Sequence, residues 1–70
     1  MLLPNETLGK NIAHYRKEHK LSQAKLAAIV GMQASHLSKI ETGRNVPGIR
    51  TVARLAVGLG VSIEKLVGKR

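Results

Sequence analysis

The chain contains no cysteine, tryptophan or phenylalanine and only one tyrosine, Tyr15. Without cysteine it has neither a disulfide nor a thiolate metal site. Aromatic residues make up 1% of the chain, which removes the stacking platforms that single-stranded nucleic acid and unpaired RNA bases require. Aspartate is absent too, and the four carboxylates, Glu6, Glu18, Glu41 and Glu64, are scattered along the chain. No two of them are placed as a general acid and base, and no glycine-rich loop follows a strand, so the chain is not expected to be an enzyme. Long apolar runs are also missing. Met1-Leu2-Leu3-Pro4 is too short for a signal peptide and has no basic stretch before it. No segment approaches the roughly 20 apolar residues of a membrane span. The expectation is a cytoplasmic, soluble protein with a core of Leu, Ile, Val and Ala, and with no cofactor, metal or membrane partner.

Positive charge is abundant. Lys and Arg total 12 against 4 acidic residues, a formal net charge of +8 over 70 residues. A chain of this size is expected to form one domain, 1–70, that buries roughly 60% of its unfolded surface and is thinly stable. No small-molecule sensor domain is expected. The charge favours an anionic partner; the plainer alternative is a basic surface that only keeps the chain soluble.

Gly31, Gly43, Pro47-Gly48 and Gly60 divide the chain into short blocks with helical spacing and no sustained alternation. The pattern predicts an all-α fold of five helices. Helix 1 is expected from about Glu6 to His19, with Leu8, Ile12 and Tyr15 on one stripe and Lys10, Lys17 and Lys20 off it. Ser22 is a suitable N-cap for helix 2, and Leu21 and Leu26 stand at the positions of a hydrophobic staple. Lys25 at the third helical position rules out a full capping box. Leu26, Ala27 and Val30 face inward, and Gly31 suits the left-handed residue that ends such a helix. Helix 3 covers about Gln33 to Glu41, stopping at Thr42-Gly43. Helix 4, Ile49 to Leu59, turns Val52, Leu55, Ala56 and Leu59 inward. Ser62 caps helix 5, whose stripe is Ile63, Leu66 and Val67, and Gly68-Lys69-Arg70 is a basic tail.

Helices 2 and 3, joined by a tight turn with a glycine, have the helix-turn-helix pattern. Helix 3 has few large apolar residues, Leu37 and Ile40. With Leu37 at zero and a step of about 100° per residue, Ile40 falls near 300° and the buried direction near 330°. Ser38, Thr42, Ser35 and Lys39 then lie at roughly 100°, 140°, 160° and 200°, on the far side. Short side chains let a helix approach a groove, hydroxyls pair with base edges, and a lysine reaches guanine O6/N7 or a phosphate. The alternative is an ordinary solvated face, but such faces usually carry strong helix formers in Glu and Lys pairs rather than serine.

Ser22-Gln23-Ala24-Lys25-Leu26-Ala27, Val30-Gly31, Leu37-Ser38-Lys39-Ile40-Glu41-Thr42-Gly43, Pro47, Leu55-Ala56 and Leu59-Gly60-Val61-Ser62 together closely resemble the phage repressor and Cro-type helix-turn-helix domain, also called XRE-like. The match covers about residues 8 to 67. The resemblance implies a compact five-helix repressor-like fold, usually dimeric on palindromic operators, that binds double-stranded DNA and regulates transcription. It implies that Gln33, Ala34, Ser35 and Lys39 face bases, with Ser38 as a flanking contact. Ser22, Gln23 and Arg44 are implied on the DNA backbone. Arg16 and Glu41 match a partly buried ion pair that clamps helix 1 to helix 3. Many relatives carry longer side chains where this chain has Ala34 and Ser35, so direct readout falls mainly to Gln33 and Lys39, and DNA shape gains weight. Gly48 stands where a serine often caps helix 4.

His36 lies between the two faces of helix 3 and is read as a flank or backbone-phosphate residue rather than a pH switch. His14 and His19, without cysteine or a carboxylate pair, do not make a metal site. The repressor-like fold also serves as an antitoxin, so a toxin or other protein partner is the alternative function. Val57, Val61, Ile63, Leu66 and Val67 would form a homodimer patch, or a partner site, around helix 5. A membrane-active basic peptide is disfavoured because the helices are short and sharply punctuated. Control is expected to come from concentration and dimerisation.

Overall fold

The computed structural model describes the backbone over residues 4–68 and the side chains over 7–68. Five α-helices follow one another: α1 (Pro4–Glu18), α2 (Gln23–Val30), α3 (Ala34–Glu41), α4 (Ile49–Leu59) and α5 (Ile63–Val67). The described residues include no strand. None of these helices is long and apolar enough to cross a membrane. Residues 69–70 of the basic tail lie outside the described range.

The helix ends follow from the local sequence. Proline opens α1, where a missing N–H costs nothing, so this helix begins at Pro4 rather than near Glu6. Ser22 caps α2 by accepting a hydrogen bond from Lys25 N at 3.0 Å. Ser62 does the same for Lys65 N at 3.3 Å. Gly48 precedes α4 with no side-chain cap. Gly31 ends α2 in the left-handed region, φ 75°, while Gly31 N and Met32 N bond back to the carbonyls of Ala28 and Ala27.

Each helix contributes to one core. The buried side chains are Leu8 and Ile12 of α1, Leu26 and Ala27 of α2, Leu37 and Ile40 of α3, Val52, Leu55, Ala56 and Leu59 of α4, and Leu66 of α5. Tyr15, Leu21, Val30, Val61 and Ile63 pack half-buried against it. Val67 departs from its expected stripe and is 51% exposed. Helices of eight residues do not persist alone in water, so α2 and α3 hold their shape through this packing.

The layout is set by α1, which packs on α3 and α5, while α2 bridges α3 and α4. Gly9 permits the α1–α3 approach: a Cβ there would meet the backbone oxygens of Ile40 and Glu41, the latter at 2.6 Å. Buried Asn11 holds the short α5, its Nδ2 donating to Leu66 O at 2.9 Å and to Gly68 O at 2.8 Å. Both amide hydrogens are thereby used on carbonyls that a helix end leaves unpaired.

Candidate nucleic-acid interface

The start of α2 and the end of α3 meet at one carboxylate. Arg16 Nε donates to Glu41 Oε2 at 2.7 Å and Nη2 donates to Glu41 Oε1 at 3.1 Å. The two side chains are only 11% and 5% exposed. Arg16 Nη1 also donates to Leu21 O at 2.8 Å, which secures the chain between α1 and α2. Gln23 then joins: its Nε2 donates to Glu41 Oε1 at 2.9 Å. A carboxylate accepts only, so the Gln23 amide nitrogen must face it, and one Nε2–H and the carbonyl oxygen are left for other partners. Glu41 therefore ties α1, α2 and α3 together. Pattern matching supplies the Arg16–Glu41 pair; the Gln23 link has no signal in sequence, because it depends on how α2 crosses α3.

With Leu37 and Ile40 buried, the other side of α3 faces solvent. Gln33 is the N-cap residue and makes no side-chain cap bond, so its exposed amide is not consumed. Ser35, Lys39 and Arg44 are exposed as well. Two members of the expected base-facing set sit deeper. Ser38 is half-buried, and Ala34 packs half-buried against the core, because it stands one turn before Leu37 and Ser38. Thr42, on the outward side by angle alone, turns its hydroxyl back to Ser38 O at 3.1 Å and Lys39 O at 3.2 Å. It caps the end of α3 instead of extending the face.

Ser22 is exposed, and its Oγ serves as the α2 cap while the hydroxyl hydrogen stays available to donate. His36 is half-buried and turns toward α4, lining a cavity with Met32, Thr51 and Arg54. His14 stands 3.1 Å from Glu18, and His19 Nε2 lies 2.8 Å from Leu59 O, an acceptor that requires the proton on Nε2. These two histidines thus serve separate contacts within the fold.

The expected dimer patch is not continuous. Leu66 is the one fully buried α5 side chain, and it is removed from the patch. Val61 and Ile63 pack partly on the core. Val57 is 82% exposed, yet it borders a groove with Ile29 between α2 and α4. Val67 remains as the exposed valine of α5.

Two short helices at a left-handed glycine turn, the second buried on one side and polar on the other, define a helix-turn-helix domain, the class that offers its second helix to a major groove. A model of the helix-turn-helix family matches residues 12–66. The chain belongs to the repressor and Cro-type (XRE-like) helix-turn-helix family of DNA-binding transcriptional regulators. It is 35% identical over 65 residues to the ImmF control region 10 kDa protein of Bacillus phage phi105, covering 93% of this chain and 72% of that protein. It is 36% identical over 63 residues to the immunity repressor protein of the same phage, covering 90% of this chain but only 44% of the repressor. The crystal structure of the biofilm master regulator SinR in complex with DNA superposes with a TM-score of 0.83 at 34% identity, over 87% of this chain and 98% of that one.

Proposed function

We propose that the protein is a cytoplasmic, non-enzymatic regulator, a repressor or controller of an operon, that binds a palindromic operator as a homodimer with α3 in the major groove. The observation that carries this reading is the two-sidedness of α3: Leu37 and Ile40 are fully buried, whereas Gln33, Ser35 and Lys39 are exposed. Gln33 suits the N6/N7 edge of adenine, Lys39 suits guanine O6/N7, and the Ser35 and Ser38 hydroxyls suit either donors or acceptors. The exposed part of Ala34 offers an apolar contact to a thymine methyl. Ser22, Gln23 and Arg44 contact phosphates, whereas His36, turned toward α4, is left out of this set. Dimerisation runs through the α5 side, around Val67 and the exposed edges of Val61 and Ile63.

The test is titration of a duplex selected from a random pool, at several salt concentrations, with Lys39→Ala and Arg44→Ala. Arg44→Ala weakens all sites about equally and lowers the salt slope by about 1, while Lys39→Ala costs about 1–3 kcal/mol and relaxes preference at one position of each half-site. Arg44 is a cleaner backbone probe than Gln23, whose amide also bonds to Glu41. Binding that ignores salt, or that neither substitution weakens, rules the interface out.

A further inference from the structure

Away from α3, the seam between α2 and α4 opens into a groove of about 510 Å³ lined by Ile29, Val30, Ala53, Arg54, Val57 and Gly58. Ile29 is 54% and Val57 82% exposed. Single exposed apolar side chains are ordinary; here two branched ones stand together at a concave seam. The helices lie so close that a Cβ on Gly58 would meet Val30 Cγ1 at 2.6 Å, which leaves the α4 backbone as part of the groove floor. The groove continues into a smaller cavity of about 250 Å³, where Val30 and Arg54 are joined by Met32, His36 and Thr51. The feature thus has an apolar end and a polar, cationic end.

Charge selects the occupant. No carboxylate lines either cavity, and α4 exposes Arg50 and Arg54. A second copy has little acid to offer Arg54: Glu41 is buried on Arg16 and Glu18 stands against His14, which leaves Glu64 among the described carboxylates. Duplex DNA is anionic but has no apolar side chain to fill the Ile29–Val57 end.

We propose that the α2–α4 groove docks an amphipathic helix of another protein, one that inserts a large apolar side chain beside Ile29 and Val57 and sets a carboxylate about one turn away on Arg54. The apolar end of the site lies away from the proposed DNA surface. Ile29 follows Gln23 by six residues, so it lies about 240° around α2 from it.

The probe is a synthetic helical peptide with a leucine stripe and a glutamate stripe one turn apart, set beside its Glu→Gln counterpart. Its binding is followed by fluorescence anisotropy and by backbone amide shifts of the protein. The glutamate peptide is expected to bind more tightly than the glutamine peptide and to shift Ile29, Ala53 and Val57. Val57→Asp and Arg54→Glu each weaken it by about tenfold or more, while Val57→Asp keeps its helical circular dichroism and its affinity for operator DNA. The proposal is overturned if the peptide shifts Gln33, Ser35 and Lys39 on the outward face of α3 instead, if short duplex DNA displaces it, or if Val57→Asp binds it unchanged. It also fails if sedimentation finds self-association that Val57→Asp abolishes while the peptide does not bind, because the occupant is then a second copy. DNA affinity is a separate readout, so failure here leaves the operator-binding reading standing.

Discussion

Lys20 is the one non-glycine residue with positive φ among the described residues, at 57°. It closes α1: Lys20 N bonds to Lys17 O at 2.9 Å and Leu21 N to Arg16 O at 3.1 Å, the pairing of a left-handed helix ending. A side chain in that conformation costs roughly 1–2 kcal/mol, against about 0.5–1 kcal/mol of extra chain entropy for glycine. Lys20→Gly is therefore expected to stabilise the fold by about 0.5–1 kcal/mol, read as a rise of a few degrees in melting temperature; a fall would mean that Lys20 makes a contact worth more than its strain. The Arg16–Glu41 pair gives the opposite kind of result. Arg16→Leu leaves a buried carboxylate with Gln23 as its remaining side-chain donor and is expected to cost about 3–5 kcal/mol. Arg16→Leu with Glu41→Leu is expected to recover much of that loss in a urea double-mutant cycle. The sequence pointed to this pair through its family motif, whereas the third member, Gln23, lies far from Glu41 in the chain and carries no pattern.

At the level of helices, the clearest test is Gly9. In a solvent-facing helix Gly→Ala stabilises by about 1 kcal/mol. Here the added Cβ would run into the carbonyl oxygens at the end of α3, and backbone atoms cannot rotate aside. Gly9→Ala is expected to destabilise by about 1–3 kcal/mol, so the measured sign distinguishes close helix packing from helix propensity. Asn11 is the corresponding polar case. It falls on the α1 stripe, three residues after Leu8 and four before Tyr15, so its position was readable. Its use was not, because the carbonyls of Leu66 and Gly68 that it serves lie at the other end of the chain. The serine caps at α2 and α5 were legible, since a cap joins residues three apart.

For the whole molecule, size and charge govern binding. The Cα trace extends 31 Å along its longest axis, while half-sites of a two-fold operator lie about 34 Å apart. One copy is thus shorter than that spacing, and the proposed homodimer would place one copy on each half-site. If the pair neutralises six or more phosphates, its affinity should fall by about a thousandfold between about 50 and 200 mM salt, measured by anisotropy on a fixed duplex. A slope near zero would separate the net charge of +8 from DNA binding.

Interactions between residues close in the chain were therefore readable in one dimension: the caps at Ser22 and Ser62, the glycine ending at Gly31, and the apolar stripes whose spacing dictates an all-α fold. The face of α3 that turns outward also follows from spacing, since Leu37 and Ile40 orient the helix. Helix crossing decides the rest, because neighbours on one stripe can end up in different surroundings. It buries Leu66 and leaves its neighbour Val67 exposed, and it sets Val57 beside Ile29 rather than with α5. It also brings Gln23 to Glu41. Each depends on the distance and angle between helices, which intramolecular packing fixes and which no short stretch of sequence encodes.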